Sequence, residues 1–134
     1  VYKRQALHKA HDARANGVHV FAPVPKFQLR AKLQAARVMA YRGDPGETFC
    51  LAAAEARAAG VPLITAGLGA LRERVVDGVT GFVEPDALRF AARLRALLHE
   101  DVLWRRLHEG CRSNPVESTW EQTAARFTAL GAFC

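Results

Sequence analysis

The period of hydrophobic and polar positions changes several times along this chain, and each change predicts an element. Val18-His19-Val20-Phe21 alternates with β-branched and aromatic residues, which predicts a strand. Residues 36–41 supply a second strand, centred on 38–41, and the apolar run 61–66 predicts a third that is short and buried. Helical stretches stand between them. Residues 1–15 hold no Gly or Pro, are rich in helix formers and stop at Asn16-Gly17. After the loop Ala22-Pro23-Val24-Pro25 a short helix is expected over residues 27–35.

Arg42-Gly43-Asp44-Pro45-Gly46 reads as a turn, with two glycines and a proline in five residues. An alanine-rich helix follows over 52–59, with Gly60 as its stop, and its small side chains suit close packing on a sheet. Beyond strand 61–66 come a glycine-containing loop, a short helix over 71–76 and a turn at Asp77-Gly78. The last third is helical. Asp86 caps a helix expected to carry Leu88, Ala91, Leu94 and Leu98 on one face. The next presents Leu103, Leu107 and Cys111, and the last opens on Ser118-Thr119-Trp120-Glu121, a capping box in form. Strand and helix in alternation predict an α/β fold: a Rossmann-like parallel sheet with helices on both faces.

Glu47 and Glu55 stand eight positions apart in Gly46-Glu47-Thr48-Phe49-Cys50-Leu51-Ala52-Ala53-Ala54-Glu55-Ala56. On one helix they would be separated by roughly 12 Å along the axis, at about 1.5 Å of rise per residue. The backbone N–H groups of Thr48 to Leu51, placed at the helix start, would be open donors of the kind that bind phosphate. Gly46 would let a ligand approach that backbone closely. The side chains of Phe49, Cys50 and Leu51 are expected to pack in the core. Taken alone, the pair also fits two helix-surface glutamates, or a Glu47 that favours a helix N-terminus through the dipole.

The string from Glu47 to Pro62 resembles the signature of the retaining GT-B glycosyltransferases of family 4 type: Glu-x7-Glu, then Ala, small residues, Gly and Pro. A second stretch, Gly69-Ala70-Leu71-Arg72-Glu73-Arg74-Val75-Val76-Asp77-Gly78-Val79-Thr80-Gly81-Phe82-Val83, is similar to that family's Glu-x-Val-x-Asp-Gly-x-x-Gly-hydrophobic pattern. The likeness runs over roughly residues 18–130. It implies that residues 1–134 are one partial C-terminal, donor-binding domain, whose N-terminal acceptor domain would precede Val1. The implied activity moves a sugar from a UDP-, GDP- or ADP-sugar to an acceptor hydroxyl with retention, with no cofactor besides the donor and no obligatory metal.

The resemblance also implies roles. Glu47 orients the donor sugar and Glu55 takes the ribose hydroxyls. The backbone of Thr48, Phe49, Cys50 and Leu51 receives phosphate, Gly46 lets the donor approach that backbone, and Pro23 and Val24 lie on the loop expected to line the base pocket. Arg42 departs from the Pro or Ser common in the family; it meets either a phosphate, the acceptor or only solvent. The leaving-group Arg and Lys of the family would lie ahead of Val1, so this stretch alone is expected to be inactive. Implied partners are a glycan or lipid-linked acceptor and the N-terminal domain, not nucleic acid. Three other readings stay open: a non-catalytic nucleotide-sugar or anion-binding module, a sugar-nucleotide epimerase of the same fold, and a nucleic-acid-binding protein using the basic N-terminal third, which is poor in aromatic residues interleaved with its basic ones.

Composition changes this picture little. With 134 residues, 50% of them hydrophobic and 24% charged, the chain has the size and make-up of one globular domain. The net charge of +6 is uneven: residues 1–45 carry +7 and the remainder −1. That excess fits attraction of an anionic donor or acceptor, peripheral contact with an anionic membrane, or a solvated face. Cys50, Cys111 and Cys134 lack metal or redox spacing, and packed thiols in a reducing cytoplasm are expected. His8 and His11 share a helical face without a third metal ligand. No Walker loop, Gly-x-Ser-x-Gly or His-Glu-x-x-His occurs, and Gly67-Leu68-Gly69 lacks the third glycine of a dinucleotide fingerprint.

Overall fold

The computed structural model describes Gly17, His19 and residues 21–115 and 120–131. The expected helix 1–15 with its His8 and His11, Val18 and Val20 of the first expected strand, and Ser118 and Thr119 of the expected capping box lie outside those residues. Helix α1 (Lys26–Ala35) leads into strand β1 (Met39–Ala40), helix α2 (Leu51–Ala58) and strand β2 (Leu63–Thr65). Helix α3 (Leu71–Arg74) and strand β3 (Gly81–Val83) follow, then helices α4 (Ala87–His99), α5 (Asp101–Ser113) and α6 (Trp120–Gly131). The strands pair in the order β1-β2-β3, all parallel, with Met39 opposite Leu63 and Ile64 opposite Phe82.

β1 and β2 lie inside the expected strands 38–41 and 61–66, trimmed to the residues that find a partner. β3 departs from the sequence reading. Three residues opening on a glycine carry no alternation to detect, and they become a strand because the edge of β2 is there to pair with.

Side chains of the sheet alternate between two cores. Met39, Tyr41, Leu63 and Val83 meet Cys50, Ala53, Leu71 and Val75 on the face of α2 and α3. Val38, Ile64 and Phe82 meet Leu94 and Leu97 of α4 and Leu103 and Leu107 of α5 on the opposite face. The sheet is therefore covered on both sides, the Rossmann-like α/β arrangement. Ile64, Leu71, Leu97 and Leu107 have no exposed surface, and burying each stabilises the fold by about 1.5–3 kcal/mol. Ala53 and Ala56 are also fully buried, so α2 meets the fold through residues with no bulk to hold it off.

The Asp86 cap forms as expected, its Oδ1 accepting from the Arg89 N–H at 2.9 Å. The inward stripe of α4 does not follow the expectation. Phe90, Leu94 and Leu97 face the sheet, while Leu88 is 83% and Leu98 45% exposed. Spacings of three and four describe two overlapping stripes on this helix, and the docking angle selects one. On α5, Leu107 and Cys111 are buried as expected. Trp104 fastens that helix by donating from Nε1 to the Arg37 carbonyl at 2.7 Å, and Arg37 Nε donates to the Leu97 carbonyl at 2.8 Å. No helix among the described residues is long and apolar enough to cross a membrane.

Cys50 and Cys111 are buried, reduced thiols, as expected. Burial raises both pKa values, that of Cys111 to about 11, and at Cys50 the Glu47 carboxylate adds to the effect. Since the thiolate is the nucleophile, iodoacetamide at pH 8 should alkylate Cys111 roughly a hundredfold more slowly in the native chain than in the unfolded one, with Cys50 slowed as well. Mass-spectrometric labelling checks this; equal rates at Cys111 in the two states would contradict its burial.

Candidate functional site

Residues 41–50 leave the C-terminal end of β1 and lead to α2, the place where open parallel sheets bind ligands. Asp44 sets the turn. Its Oδ1 accepts from the Gly46 N–H at 2.7 Å and its carbonyl from the Glu47 N–H at 3.0 Å. Glu47 Oε1 then accepts from the Cys50 N–H at 3.1 Å. Cys50 is the one non-glycine residue with positive φ among those described, at 59°, a left-handed conformation that costs about 1–2 kcal/mol. Its carbonyl accepts from the Ala53 and Ala54 N–H groups, and α2 begins.

The helix starts later than the sequence suggests, which corrects the expected donor set. Glu47 lies three residues ahead of the N-cap Cys50, so the helical 12 Å ruler does not apply to the glutamate pair. Of the four expected N–H donors, that of Cys50 is taken by Glu47, and those of Thr48 and Phe49 belong to a bend. The Leu51 N–H stands at the helix start with that of Ala52 beside it, both without a partner among the described residues. The side chains of Phe49 and Leu51 are also not core: they are 43% and 70% exposed. Cys50 and Ala53 take the inward positions instead, and the Phe49 ring lies 3.9 Å from the Arg74 guanidinium.

The second sequence motif holds the first in place. The Ala70 N–H donates to the Glu47 carbonyl at 2.8 Å. Gly69 has φ of +56°, and a Cβ there would stand 2.6 Å from the carbonyl oxygens of both Asp44 and Glu47. Only glycine lets the two loops approach this closely. Arg74, 6% exposed, donates from Nε to the Phe49 carbonyl at 2.8 Å. The half-buried Tyr41 has its pKa raised, first by burial and then by the charge of Glu47. Arg42 fastens the loop by its carbonyl, which receives the Ala66 N–H at 3.0 Å. Its guanidinium stays exposed and leans toward the Pro85 carbonyl at 3.5 Å.

Glu55 sits in the second turn of α2 and faces α1. It lines a cavity of ≈490 Å³ together with Lys26, Phe27, Arg30, Leu33 and Ala58. Val24 is half-buried just ahead of the first lining residue. The structure thus brings Glu47, Cys50, Leu51 and Ala52 together at the start of α2, and sets Glu55 apart on the α1 side. Sequence reasoning missed Lys26, Arg30, Gln34 and Arg74. Lys26, Arg30 and Gln34 carried a signal, since steps of four place them on one helix face.

A parallel sheet covered on both faces, with a carboxylate-bearing loop leading from its first strand to an open helix start, defines a Rossmann-like α/β domain. Residues 2–100 match the family model described as glycosyl transferases group 1. The chain belongs to that family. It is 38% identical over 110 residues to the D-inositol 3-phosphate glycosyltransferase of Xylanimonas cellulosilytica, covering 81% of this chain and 26% of the relative. It is 34% identical over 111 residues to the protein of that name from Geodermatophilus obscurus, covering 81% of this chain and 24% of the relative. With that of Corynebacterium diphtheriae it is 31% identical over 118 residues, covering 87% and 27%. The chain spans about a quarter of the length of these relatives.

Proposed function

We propose that this chain supplies the donor-binding part of a retaining GT-B glycosyltransferase, which moves a sugar from a nucleoside-diphosphate sugar to an acceptor hydroxyl. The observation that supports this most is the order of groups around α2. Glu55 opens on a cavity with room for a nucleoside, the unpaired Leu51 and Ala52 N–H groups stand at the helix start, and Glu47 lies just beyond them. A nucleotide sugar laid along this line puts its ribose at Glu55, its diphosphate at the helix start and its sugar at Glu47.

Each group then has a task suited to its chemistry. The Glu55 carboxylate accepts from the ribose hydroxyls, and the helix start and its dipole favour the diphosphate. The Glu47 carboxylate orients the sugar as its bond to phosphate breaks. The departing phosphate helps take the acceptor proton, and no obligatory metal enters the reading. The acceptor is a glycan, a lipid-linked sugar or a phosphorylated polyol of the kind the relatives' names indicate, reached from the cytoplasm or the inner face of a membrane. Acceptor contacts come from the partner domain that this family places across the cleft, and the leaving-group Arg and Lys lie outside these 134 residues.

Glu55→Ala in the complete gene product tests the nucleoside placement. Its affinity for UDP, GDP or ADP, whichever the wild type prefers, should fall by about 1.5–3 kcal/mol, the worth of a hydrogen bond to a charged group. Isothermal titration measures it. An unchanged dissociation constant would remove Glu55 from the site.

A further inference from the structure

Arg74 is the buried cation among the described residues, and its surroundings single it out. Taking a guanidinium out of water costs several kcal/mol before any compensation, yet Arg74 is only 6% exposed. Its Nε–H donates to the Phe49 carbonyl at 2.8 Å and its guanidinium lies 3.9 Å from the centre of the Phe49 ring. Its own carbonyl is held in turn by Arg57 Nη1 at 3.3 Å, while Arg57 Nε donates to the Asn114 carbonyl at 3.0 Å. The residue is therefore anchored on its far side and reaches toward the loop.

Its target is one particular peptide. In a trans peptide the C=O and the next N–H point in opposite directions. The carbonyl of Phe49 points to Arg74, and the N–H of Cys50, in the same peptide unit, points to Glu47 Oε1 at 3.1 Å. A cation and an anion thus clamp one peptide from its two ends. That peptide immediately precedes the left-handed Cys50 and the first open N–H groups of α2. The clamp adds to the contacts that hold Cys50 at φ of 59°, a costly conformation for a residue other than glycine, beside the Ala53 and Ala54 N–H bonds to its carbonyl and the burial of its side chain.

We infer that Arg74 is a positioning residue for phosphate: by holding the Phe49–Cys50 peptide it aims the Leu51 and Ala52 N–H groups and places the Glu47 carboxylate beside them. This rests on the reading above that phosphate is seated at the start of α2. The field of Arg74 also reaches that start, since it opposes the upward shift of the Cys50 thiol. Phe49 covers the guanidinium, which accounts for an aromatic ring left partly exposed beside the loop.

The test compares ligands with and without phosphate on the complete gene product, using UDP, GDP and ADP against uridine, guanosine and adenosine. In the wild type the preferred diphosphate should bind at least tenfold more tightly than its nucleoside; equal affinities would sink the phosphate placement itself, and the inference with it. In Arg74→Met, which keeps the length and removes the charge and donor, that preference should shrink by tenfold or more while nucleoside affinity stays within about twofold. Arg74→Lys keeps the charge without the fixed Nε donor and should restore part of the preference. If Arg74→Met does not fold, Arg74→Lys carries the comparison, with a loss of threefold or more expected. A wild-type preference retained in a folded variant, or an equal loss for diphosphate and nucleoside, would overturn the assignment and leave Arg74 a structural residue.

Discussion

Glu47→Gln in the complete gene product is expected to lower kcat with the nucleotide sugar by about 10- to 150-fold, while affinity for the free nucleoside diphosphate changes less than twofold. The magnitude is that of a hydrogen bond to a charged acceptor, about 1.5–3 kcal/mol, lost where the transition state needs it. The structure makes glutamine the informative replacement. Glu47 has a structural task as well, since its Oε1 accepts from the Cys50 N–H, and the amide oxygen of glutamine retains that bond. Alanine would remove both tasks together. If capping Cys50 is all that Glu47 does, glutamine leaves turnover at the wild-type value; steady-state kinetics beside nucleotide titration separate the two. Wild-type kcat would refute the catalytic assignment.

Gly81→Ala should be the most destabilising small substitution in the sheet. Gly81 opposes Leu63 across the β2–β3 pair, and a Cβ there would fall on the Leu63 carbonyl oxygen and the atoms beside it. A clash with a flexible side-chain tip relaxes cheaply. A clash with the backbone of a strand buried on both faces cannot, so the loss should reach the upper end of the overpacking range, about 3 kcal/mol. For a domain of this size that corresponds to a melting temperature lower by roughly 10 °C or more. Thermal denaturation followed by circular dichroism measures it, and a melting temperature within about 2 °C of wild type would show that β3 does not pair with β2 as described.

Much of the fold was legible because its signals are local. The two glycines and proline of residues 42–46 mark the turn, Gly60 the end of α2 and Asp86 the start of α4. The apolar run around Leu63–Thr65 marks the central strand, and the two glutamates mark the segment where the candidate site lies. Each of these depends on residues within one turn of helix or a few steps of strand. Elements separated by a helix cannot announce their pairing in that way. β3 exists because β2 offers it an edge, and α4 turns Leu97 inward because the sheet meets it at one angle.

The site divides along the same line. The chain's own order of residues determined that a carboxylate-bearing turn precedes an alanine-rich helix, and that two motifs occur in the family's sequence order. Tertiary structure decided where those groups point: Glu47 onto the Cys50 N–H, Glu55 toward α1 and its cavity, Gly69 beneath the Glu47 loop, and Arg74 onto a carbonyl 25 residues away. A short-range pattern specifies which face a side chain takes on its own element. Which distant groups share that face depends on how the elements pack, and only the assembled sheet, covered on both sides, sets that.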